Sequence, residues 1–142
     1  MLKYRRRRAL AAPLGALLVE ALPDYACACA AIVPVPLHSS RLRERGFNQS
    51  ALLAQVIATT IGARMSEGLR RTRPTAHQVG MDRQAREANV RGAFAWNGDP
   101  APRSVLLVDD VLTTGSTMRE CARALRAAGT VEIHALALAG DY

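Results

Sequence analysis

The feature that most constrains the fold of this chain is the segment Ser104–Val108, in which four apolar residues follow a serine. A short and uniformly apolar run of this kind is typical of a strand that is buried on both faces of a parallel sheet. A helical pattern follows at Thr117–Ala128, and a second apolar run follows at Val131–Leu138. A strand, a helix and a strand in this order predict an α/β fold with a mostly parallel sheet flanked by helices.

The N-terminal half of the sequence continues the alternation. Leucines recur at helical spacing in Ala9–Leu22, which predicts an amphipathic helix. Ala31–Val35 predicts a short strand that opens into a proline-containing loop. Asn48 can cap a helix whose apolar face continues until Gly62. The chain has 142 residues, so a single domain spanning residues 1–142 is expected.

Other segments have weaker patterns. Leu37–Phe47 contains arginines without an apolar period, so it is interpreted as a basic loop or the frayed start of a helix. Ala63–Leu69 is a weak strand prediction. Arg70–Arg91 is polar and basic, with a short helix predicted at Asp82–Asn89 near its end. A polar stretch of this length inside a small domain is usually a functional loop or is disordered.

The composition limits the classes of partner. A net charge of +7 and a pI of about 10.3 favour polyanions such as nucleic acid, pyrophosphate or phosphorylated sugars. A soluble arginine-rich protein without such a partner is the alternative that stays open for the scattered arginines. No apolar stretch approaches the ~20 residues that a membrane-spanning helix needs, so no membrane insertion is expected. The dense basic run Arg5–Arg8 disfavours a signal peptide.

The cysteines are few: Cys27, Cys29 and Cys121. An odd and sparse count suits a reducing compartment, so a cytoplasmic location and buried roles for all three are expected. Cys27 and Cys29 are separated by one residue, whereas a common zinc site has two residues between its cysteines. The sequence therefore predicts no zinc.

The loop after the strand at Ser104–Val108 has the composition of a phosphate-binding loop. Ligands of parallel α/β sheets bind beyond the carboxyl ends of the strands, where the next helix N-terminus attracts anions. Gly115 lets the backbone approach a phosphate closely. Hydroxyl groups surround this glycine at Thr113, Thr114, Ser116 and Thr117. No lysine follows the glycine as in a Walker A loop, which argues against a nucleoside triphosphatase.

Two adjacent acids, Asp109 and Asp110, precede this loop. Carboxylates beside a phosphate repel the ligand unless Mg²⁺ or sugar hydroxyls lie between them. Acids, hydroxyl groups and a glycine in this order therefore predict a site for a phosphorylated sugar. The alternative is a strand end with two solvated acids and a helix cap.

Val108–Thr117 resembles the ribose 5-phosphate and pyrophosphate signature of type I phosphoribosyltransferases. The resemblance implies a type I phosphoribosyltransferase-like fold that binds 5-phosphoribosyl-1-pyrophosphate with Mg²⁺. Asp109 and Asp110 would be the catalytic carboxylates, holding the ribose hydroxyls directly or through Mg²⁺. The residues implied to bind the phosphate and the ribose are Val111, Leu112, Thr113, Thr114, Gly115, Ser116 and Thr117.

Further motifs resemble the ComF competence-protein family over nearly the whole chain. They are Leu2–Tyr4, Val33–His38, Arg45–Ser50, Leu53–Ala54, Arg73–Thr75, Gln78, Arg86 and Asn89–Phe94. Members of that family usually carry a cysteine-rich segment ahead of the position of Leu2. The resemblance leaves open whether this chain is a shortened member or has a start that lies upstream.

The resemblance also implies roles for two basic segments. Type I enzymes hold pyrophosphate with the loop after the first strand, so Arg41 and Arg45 are expected to contact it, because a guanidinium matches phosphate oxygens. A solvated basic loop is the alternative. Residues 70–92 take the place of a flexible lid that would exclude water from the sugar. The lid residues expected near the ligand are Arg73, Gln78, Arg83 and Arg86.

The function that follows from the resemblance is phosphoribosyl transfer to an acceptor with release of pyrophosphate. No segment predicts a base-reading hood, so the acceptor, a nucleobase or another nucleophile, stays open. A regulatory module that keeps the sugar site without turnover is one alternative. A DNA-uptake accessory that binds single-stranded DNA or the competence machinery is another, although Trp96 is the one aromatic residue expected in an exposed turn. Related transferases are often homodimers, and nothing in the sequence decides this point.

Overall fold

The computed structural model describes residues 2–76, 80–98 and 100–140. Its helices are α1 (Leu2–Ala9), α2 (Ala11–Glu20), α3 (Asp24–Cys27), α4 (Ser39–Arg45), α5 (Gln49–Ile61), α6 (Arg83–Val90) and α7 (Ser116–Ala127). Its strands are β1 (Ala31–Pro34), β2 (Leu69–Arg71), β3 (Phe94–Trp96), β4 (Ser104–Leu112) and β5 (Glu132–Gly140). None of the helices in these ranges is long and apolar enough to cross a membrane.

β4 is the central strand of a parallel sheet that has the order β1–β4–β5 in the described ranges. Val33 of β1 lies opposite Leu107 of β4, which in turn lies opposite Ala135 of β5. The side chains of Val105–Val108 are at most 1% exposed, as expected for an apolar run that is covered on both faces. The predicted α/β fold with a mostly parallel sheet is therefore confirmed.

Successive residues of β4 face two separate cores, because side chains alternate between the faces of a strand. Val105 and Leu107 pack with residues of α7 and of the β2–β3 pair. Leu106 and Val108 pack with residues of α2 and α5. Both faces of the sheet are thus covered, so a ligand can approach it at the carboxyl ends of the strands.

The side chain of Asn48 links the start of α5 to the residue that follows β1. Asn48 Oδ1 accepts a hydrogen bond from the backbone N–H of Ser50 at 3.1 Å, which confirms the predicted cap. Asn48 Nδ2 donates to the carbonyl oxygen of Val35 at 2.9 Å. The first turn of α5 therefore lies beside the carboxyl end of β1.

The N-terminal half differs from the prediction in the bounds of its first helix. The helix predicted at Ala9–Leu22 is shorter, since α2 begins at Ala11 and a separate helix, α1, precedes it. Of the two interpretations of Leu37–Phe47, a basic loop or the start of a helix, the structure supports the helix, which is α4. The side chain of His38 caps this helix, because its Nδ1 accepts a hydrogen bond from the backbone N–H of Ser40 at 3.3 Å.

The antiparallel pair of β2 and β3 was not predicted, because strands of three residues are too short to show a period. The strand predicted at Ala63–Leu69 was placed too early: Met65 makes an isolated bridge with Ile32, and β2 begins at Leu69. Trp96 pairs with Leu69 and is half-buried against the core, so it does not lie in an exposed turn. The expectation of buried cysteines holds for Cys29 and Cys121 but is wrong for Cys27, which is exposed.

Gly15 allows α2 to approach α5 closely. A Cβ atom added at Gly15 would lie 2.5 Å from Cγ1 of Val56. We therefore expect Gly15→Ala to lower the free energy of unfolding by about 1–3 kcal/mol, the usual cost of overpacking, although alanine is the better helix former. Urea denaturation measures this change.

The variant Gly15→Ala/Val56→Ala is the control for this clash. It removes the Val56 methyl groups that the new Cβ atom would meet. We expect it to be more stable than Gly15→Ala alone, because the two substitutions interact directly. A double variant that is as unstable as the sum of the two single variants would contradict close packing at this point.

Candidate functional site

A cavity of about 420 Å³ opens at the carboxyl ends of β1 and β4. The segment after β1, helix α4, the first turn of α5, the end of β2 and the loop between β4 and α7 form its walls. This is the edge of a parallel sheet where ligands bind. The predicted site residues that line the cavity are Asp109, Asp110, Val111, Leu112, Thr113, Gly115, Ser116, Thr117, Arg41 and Arg45.

The loop between β4 and α7 is shaped by Gly115. This residue has φ of 78°, a left-handed conformation that favours glycine, and it immediately precedes α7. Ser116, the first residue of α7, lines the cavity, and its backbone N–H donates to Thr114 Oγ1 at 3.3 Å. Thr114 does not line the cavity; its Oγ1 lies 2.6 Å from Ser116 Oγ. Thr114 therefore supports the loop rather than facing the cavity.

Asp109 is buried at the carboxyl end of β4, with 9% of its surface exposed. Its Oδ1 accepts hydrogen bonds from Ser50 Oγ at 2.9 Å and from the backbone N–H of Asp110 at 2.8 Å. Burial, together with the neighbouring charge of Asp110, raises the pKa of Asp109 to about 7, although the bond from Ser50 opposes this rise. A cation or a hydrogen-bond donor in the cavity would stabilise the ionised form of Asp109.

Asp110 is more accessible than Asp109. Its Oδ1 accepts a hydrogen bond from the backbone N–H of Val111 at 2.9 Å, which orients the carboxylate at the cavity wall. In the described ranges no group of three or more His, Cys, Asp or Glu side chains is arranged to hold a metal ion. Mg²⁺ is commonly bound by one or two carboxylates together with substrate oxygens, so Asp109 and Asp110 fit such an ion with a phosphorylated ligand.

The two arginines predicted to contact pyrophosphate are both on α4. Arg41 is half-buried, and its Nη2 donates a hydrogen bond to the carbonyl oxygen of Thr75 at 3.1 Å. Arg45 is exposed at the last residue of the helix. Both line the cavity on the side of α4, so the folding of this segment as a helix brings the two guanidinium groups to the same wall.

Three lid residues that were expected near the ligand, Arg73, Arg83 and Arg86, do not line the cavity. Arg73 Nη2 donates to the carbonyl oxygen of Arg91 at 2.7 Å, and Arg83 pairs with Glu87 at 3.3 Å. Arg86 is half-buried on α6, and its Nε has no hydrogen-bond partner. Gln78 lies outside the described residues. The short helix predicted at Asp82–Asn89 is confirmed as α6, and within residues 70–92 it is Arg71, Thr75 and Ala76 that line the cavity.

Arg71 is a cavity residue that the sequence did not reveal. Its guanidinium lies over the ring of Phe94, with 4.9 Å from Cζ to the ring centroid. Its Nε is buried without a hydrogen-bond partner, and no ion pair within the described ranges involves it. Burial lowers the pKa of Arg71, an effect that Arg41 adds to and Asp109 opposes. Arg71 is one of several arginines in a basic stretch, and its contact with the ring of Phe94 is formed only in the folded chain.

Ser50 was also missed as a site residue. It belongs to the first turn of α5, where the predicted cap Asn48 places it beside β1. Its bond to Asp109 joins residues that are 59 positions apart in the chain. A serine in the first turn of a helix is common for local reasons, so the sequence carried no signal for this contact.

The fold and this site define a class of protein. Residues 49–141 match the family described as the phosphoribosyl transferase domain. The match covers more than half of the 142 residues, and the chain belongs to this family. Glutamine phosphoribosylpyrophosphate amidotransferase from B. subtilis, complexed with ADP and GMP, has a similar fold, with a TM-score of 0.62 and 23% identity over 92% of this chain and 26% of that chain.

More specific relatives share the sequence of nearly the whole chain. The DNA utilization protein YhgH of Salmonella typhimurium is 38% identical over 95% of this chain and 63% of its own length. Competence protein F of Haemophilus influenzae is 39% identical over 77% of this chain and 49% of its own length. The resemblance to the ComF competence proteins is thereby confirmed. The chain spans less than two thirds of the length of these relatives.

The burial of Asp109 predicts a pH-dependent stability. Its pKa in the folded state, about 7, is above the ordinary value of 3.8, so the folded state binds the proton more tightly than the unfolded state. The resulting stabilisation is present below pH 3.8 and is lost as the pH rises through 7. We expect Asp109→Asn to raise the free energy of unfolding at pH 8 by a few kcal/mol (about 1.4 per pKa unit) and to flatten this pH profile.

Urea denaturation between pH 5 and pH 8 tests this expectation without any ligand. Asp24→Asn is the matched control, because Asp24 is exposed. It should leave the pH profile of the wild type unchanged. An Asp109→Asn variant that is less stable than the wild type at pH 8 would show that the ionised carboxylate stabilises the fold.

Proposed function

We propose that this chain binds 5-phosphoribosyl-1-pyrophosphate with Mg²⁺ and transfers its phosphoribosyl group to an acceptor, releasing pyrophosphate. One observation carries the proposal: a single cavity joins the Asp109–Asp110 pair, the loop ending in Gly115 at a helix N-terminus, and arginines on the facing walls. Each of these three features of the cavity has the chemistry to bind one group of 5-phosphoribosyl-1-pyrophosphate.

The 5-phosphate is assigned to the start of α7. Helix N-terminal N–H groups and the helix dipole attract an anion, and the hydroxyl groups of Thr113, Ser116 and Thr117 line the same wall. Gly115 has no side chain, so a phosphate can approach the backbone there. Arg119 Nη1 donates a hydrogen bond to the carbonyl oxygen of Thr114 at 3.1 Å, and this bond stabilises the loop.

The ribose hydroxyls are assigned to Asp109 and Asp110, which would also hold Mg²⁺ together with ligand oxygens. When bound, the ion supplies positive charge that stabilises the departing pyrophosphate. Ser50 Oγ donates a hydrogen bond to Asp109 Oδ1 at 2.9 Å and so keeps this carboxylate oriented. The two carboxylates orient the sugar ring and stabilise the positive charge that develops on it during the reaction.

Pyrophosphate is assigned to the arginines on the walls that face the acids. Arg41 and Arg45 lie on α4, and Arg71 lies at the end of β2. Phe94 holds the guanidinium of Arg71 in place by stacking, so little side-chain freedom is lost when Arg71 binds an anion. Arg71 is partly buried without an ion-pair partner, and a pyrophosphate oxygen would supply the missing negative charge.

The reaction is a displacement at the anomeric carbon. The bond from this carbon to the pyrophosphate oxygen breaks, and its electron pair leaves with pyrophosphate. A lone pair of the acceptor forms the new bond to the same carbon, and a proton carried by the acceptor is released to solvent. The chain contributes binding, orientation and electrostatic stabilisation, so no nucleophilic side chain is needed.

Calorimetric titration of 5-phosphoribosyl-1-pyrophosphate with Mg²⁺ tests the sugar site. We expect Asp109→Asn/Asp110→Asn to weaken binding at least about tenfold, because two charge-dependent contacts are removed (1.4 kcal/mol per tenfold). The exposed residue Asp24 provides the control Asp24→Asn, which should bind as the wild type does. No binding by a folded wild type would refute the proposal.

Arg71→Gln tests the pyrophosphate assignment. We expect it to weaken binding of 5-phosphoribosyl-1-pyrophosphate about tenfold while leaving binding of ribose 5-phosphate, which has no pyrophosphate, within about twofold. Arg103→Gln is the matched control, since Arg103 is exposed and precedes β4 at the opposite end of the sheet. Equal weakening of both ligands by Arg71→Gln would place Arg71 outside the pyrophosphate site.

A second function is favoured by the names of the relatives, a DNA utilization protein and a competence protein. In that case the chain would be an accessory protein that keeps the sugar site, and the exposed Arg5, Arg7 and Arg8 of α1 would contact single-stranded DNA. Salt-sensitive DNA binding that is lost on substitution of these arginines would support it. Release of pyrophosphate with any acceptor supports the transferase instead.

A further inference from the structure

A further cavity, of about 390 Å³, lies between α6 and α7. We refer to it as the α6–α7 cavity. Ser116 lines both this cavity and the candidate sugar site, so the two are neighbours at the start of α7. The other residues that line the α6–α7 cavity all carry a charge: Arg83, Arg91, Arg119, Arg123, Glu87 and Glu120.

One carboxylate of the α6–α7 cavity is shared between two arginines. Glu87 Oε1 lies 3.3 Å from Nε of Arg83 and 3.2 Å from Nη2 of Arg119. A carboxylate carries a single negative charge, so it neutralises only one of these two guanidinium groups. The positive charge of the other is left without a counter-charge.

The second carboxylate leaves a further positive charge unpaired. Glu120 Oε1 pairs with Arg123 Nη1 at 3.2 Å, and Glu120 Oε2 accepts a hydrogen bond from the backbone N–H of Gly92 at 3.1 Å. In the described part of the chain no ion pair involves Arg91. Four arginines and two glutamates therefore leave a formal charge of +2 in the α6–α7 cavity.

This excess of positive charge matches the charge of one phosphate group. A phosphate monoester carries about −1.5 to −2 charges at pH 7 and presents three acceptor oxygens. Guanidinium groups donate two parallel hydrogen bonds to such oxygens. The volume of about 390 Å³ is within the range of small-molecule sites, so the cavity has both the charge and the room for a phosphorylated ligand.

The ion pairs that now occupy the arginines are weak competitors for such a ligand. Arg83, Arg119 and Arg123 are exposed, and ion pairs between exposed side chains stabilise a fold little. A dianion has more charge than the carboxylate of Glu87 and can contact several arginines at once. It can therefore displace Glu87 from both of its partners at a small cost in stability.

The walls of the α6–α7 cavity provide no surface for a nucleobase. None of its lining residues is aromatic or aliphatic. Bases bind to proteins largely by stacking on such side chains, both in nucleotides and in single strands. The composition of the walls therefore favours a small anion over a nucleotide or a nucleic acid.

We propose that the α6–α7 cavity is a second anion site, which binds a small phosphate-bearing anion separately from the sugar site. The inference does not depend on the proposed phosphoribosyl transfer. It gives Arg83 a role, because this arginine of the predicted lid lines the α6–α7 cavity and not the sugar site.

Titration with inorganic phosphate at fixed ionic strength, followed by ¹H–¹⁵N NMR, tests the second site. The amide signal of Gly92 reports it, because this N–H donates to Glu120. We expect Arg91→Gln/Arg123→Gln to weaken the binding seen at Gly92 about tenfold or more. Arg70→Gln/Arg126→Gln is the control, since it removes the same charge at exposed arginines outside the cavity; it should stay within about twofold of the wild type.

A substitution of the competing carboxylate should have the opposite effect. We expect Glu87→Gln to tighten the phosphate binding seen at Gly92 at least about threefold, because Arg83 and Arg119 lose their shared partner. Glu67→Gln removes the same charge at an exposed residue outside the cavity, so it should change the affinity by less than about twofold. Equal tightening by the two variants would contradict a local site.

The same titrations distinguish the possible occupants. Equal weakening by the two double arginine variants would overturn the proposal, because it is the behaviour of an anion attracted to the whole basic surface. A single-stranded oligonucleotide that binds at Gly92 more tightly than phosphate would overturn the assignment to a small anion. Glycerol 3-phosphate, titrated in parallel, shows whether a phosphate ester or free phosphate is the tighter ligand, and either result supports the site.

Ribose 5-phosphate separates the second site from the sugar site. Its binding is followed at the amide of Gly115, in the loop of the sugar site. We expect Arg91→Gln/Arg123→Gln to leave this binding within about twofold of the wild type. Weakening in proportion to that of phosphate would assign these arginines to the sugar site and overturn the proposal. Ribose 5-phosphate that fails to shift Gly115 in the wild type counts against the proposed function alone.

Discussion

The position of Asp109 directly after Val105–Val108, the fully buried part of β4, is the constraint on which the site depends. Val105–Val108 must be apolar because the sheet is covered on both faces, and the chain reaches the cavity only at the next residue. Asp109 is consequently still buried, and its ordinary ionisation is opposed by burial and by Asp110. The donors near it, Ser50 and a backbone N–H group, reduce this cost without removing it. Ionised Asp109 is therefore unfavourable in the empty cavity, and a cationic or hydroxyl-bearing ligand would stabilise it.

The opposite wall carries charge of the other sign. Arg41 and Arg45 are on α4, and Arg71 is held by Phe94 at the end of β2. Arginines and acids across one cavity do not neutralise each other by direct contact, since no ion pair in the described ranges joins them. A ligand with both hydroxyl groups and phosphates can lie between the two walls and satisfy both. This separation of charge is the reason that we propose a phosphorylated sugar, rather than a simple anion, as the ligand of the cavity.

The second face of the sheet gives the N-terminal helices their place. Gly15 lets α2 pack closely on α5, and Leu18 belongs to the core that Leu106 and Val108 also form. This packing brings α1 and the start of α2 to the edge where β4 and β5 end. Leu10 and Arg7 therefore line another cavity, of about 220 Å³, which shares Asp110 and Val111 with the first. A contact made for stability thus brings the N-terminal helices to the edge of the candidate site.

The sequence by itself determined the local parts of this protein: the apolar run of β4, the acids and the glycine loop that follow this run, and the cap of α5. These depend on neighbours along the chain, whose periodicity and backbone preferences are visible in the order of residues. Only the tertiary structure decided that Ser50 meets Asp109, that Arg71 stacks on Phe94 beside the cavity while Arg73 and Arg83 lie away from it, and that α1 and α2 cover the rim. The physical reason is that these contacts join segments far apart in sequence, and the order of the strands and the packing of the helices bring them together.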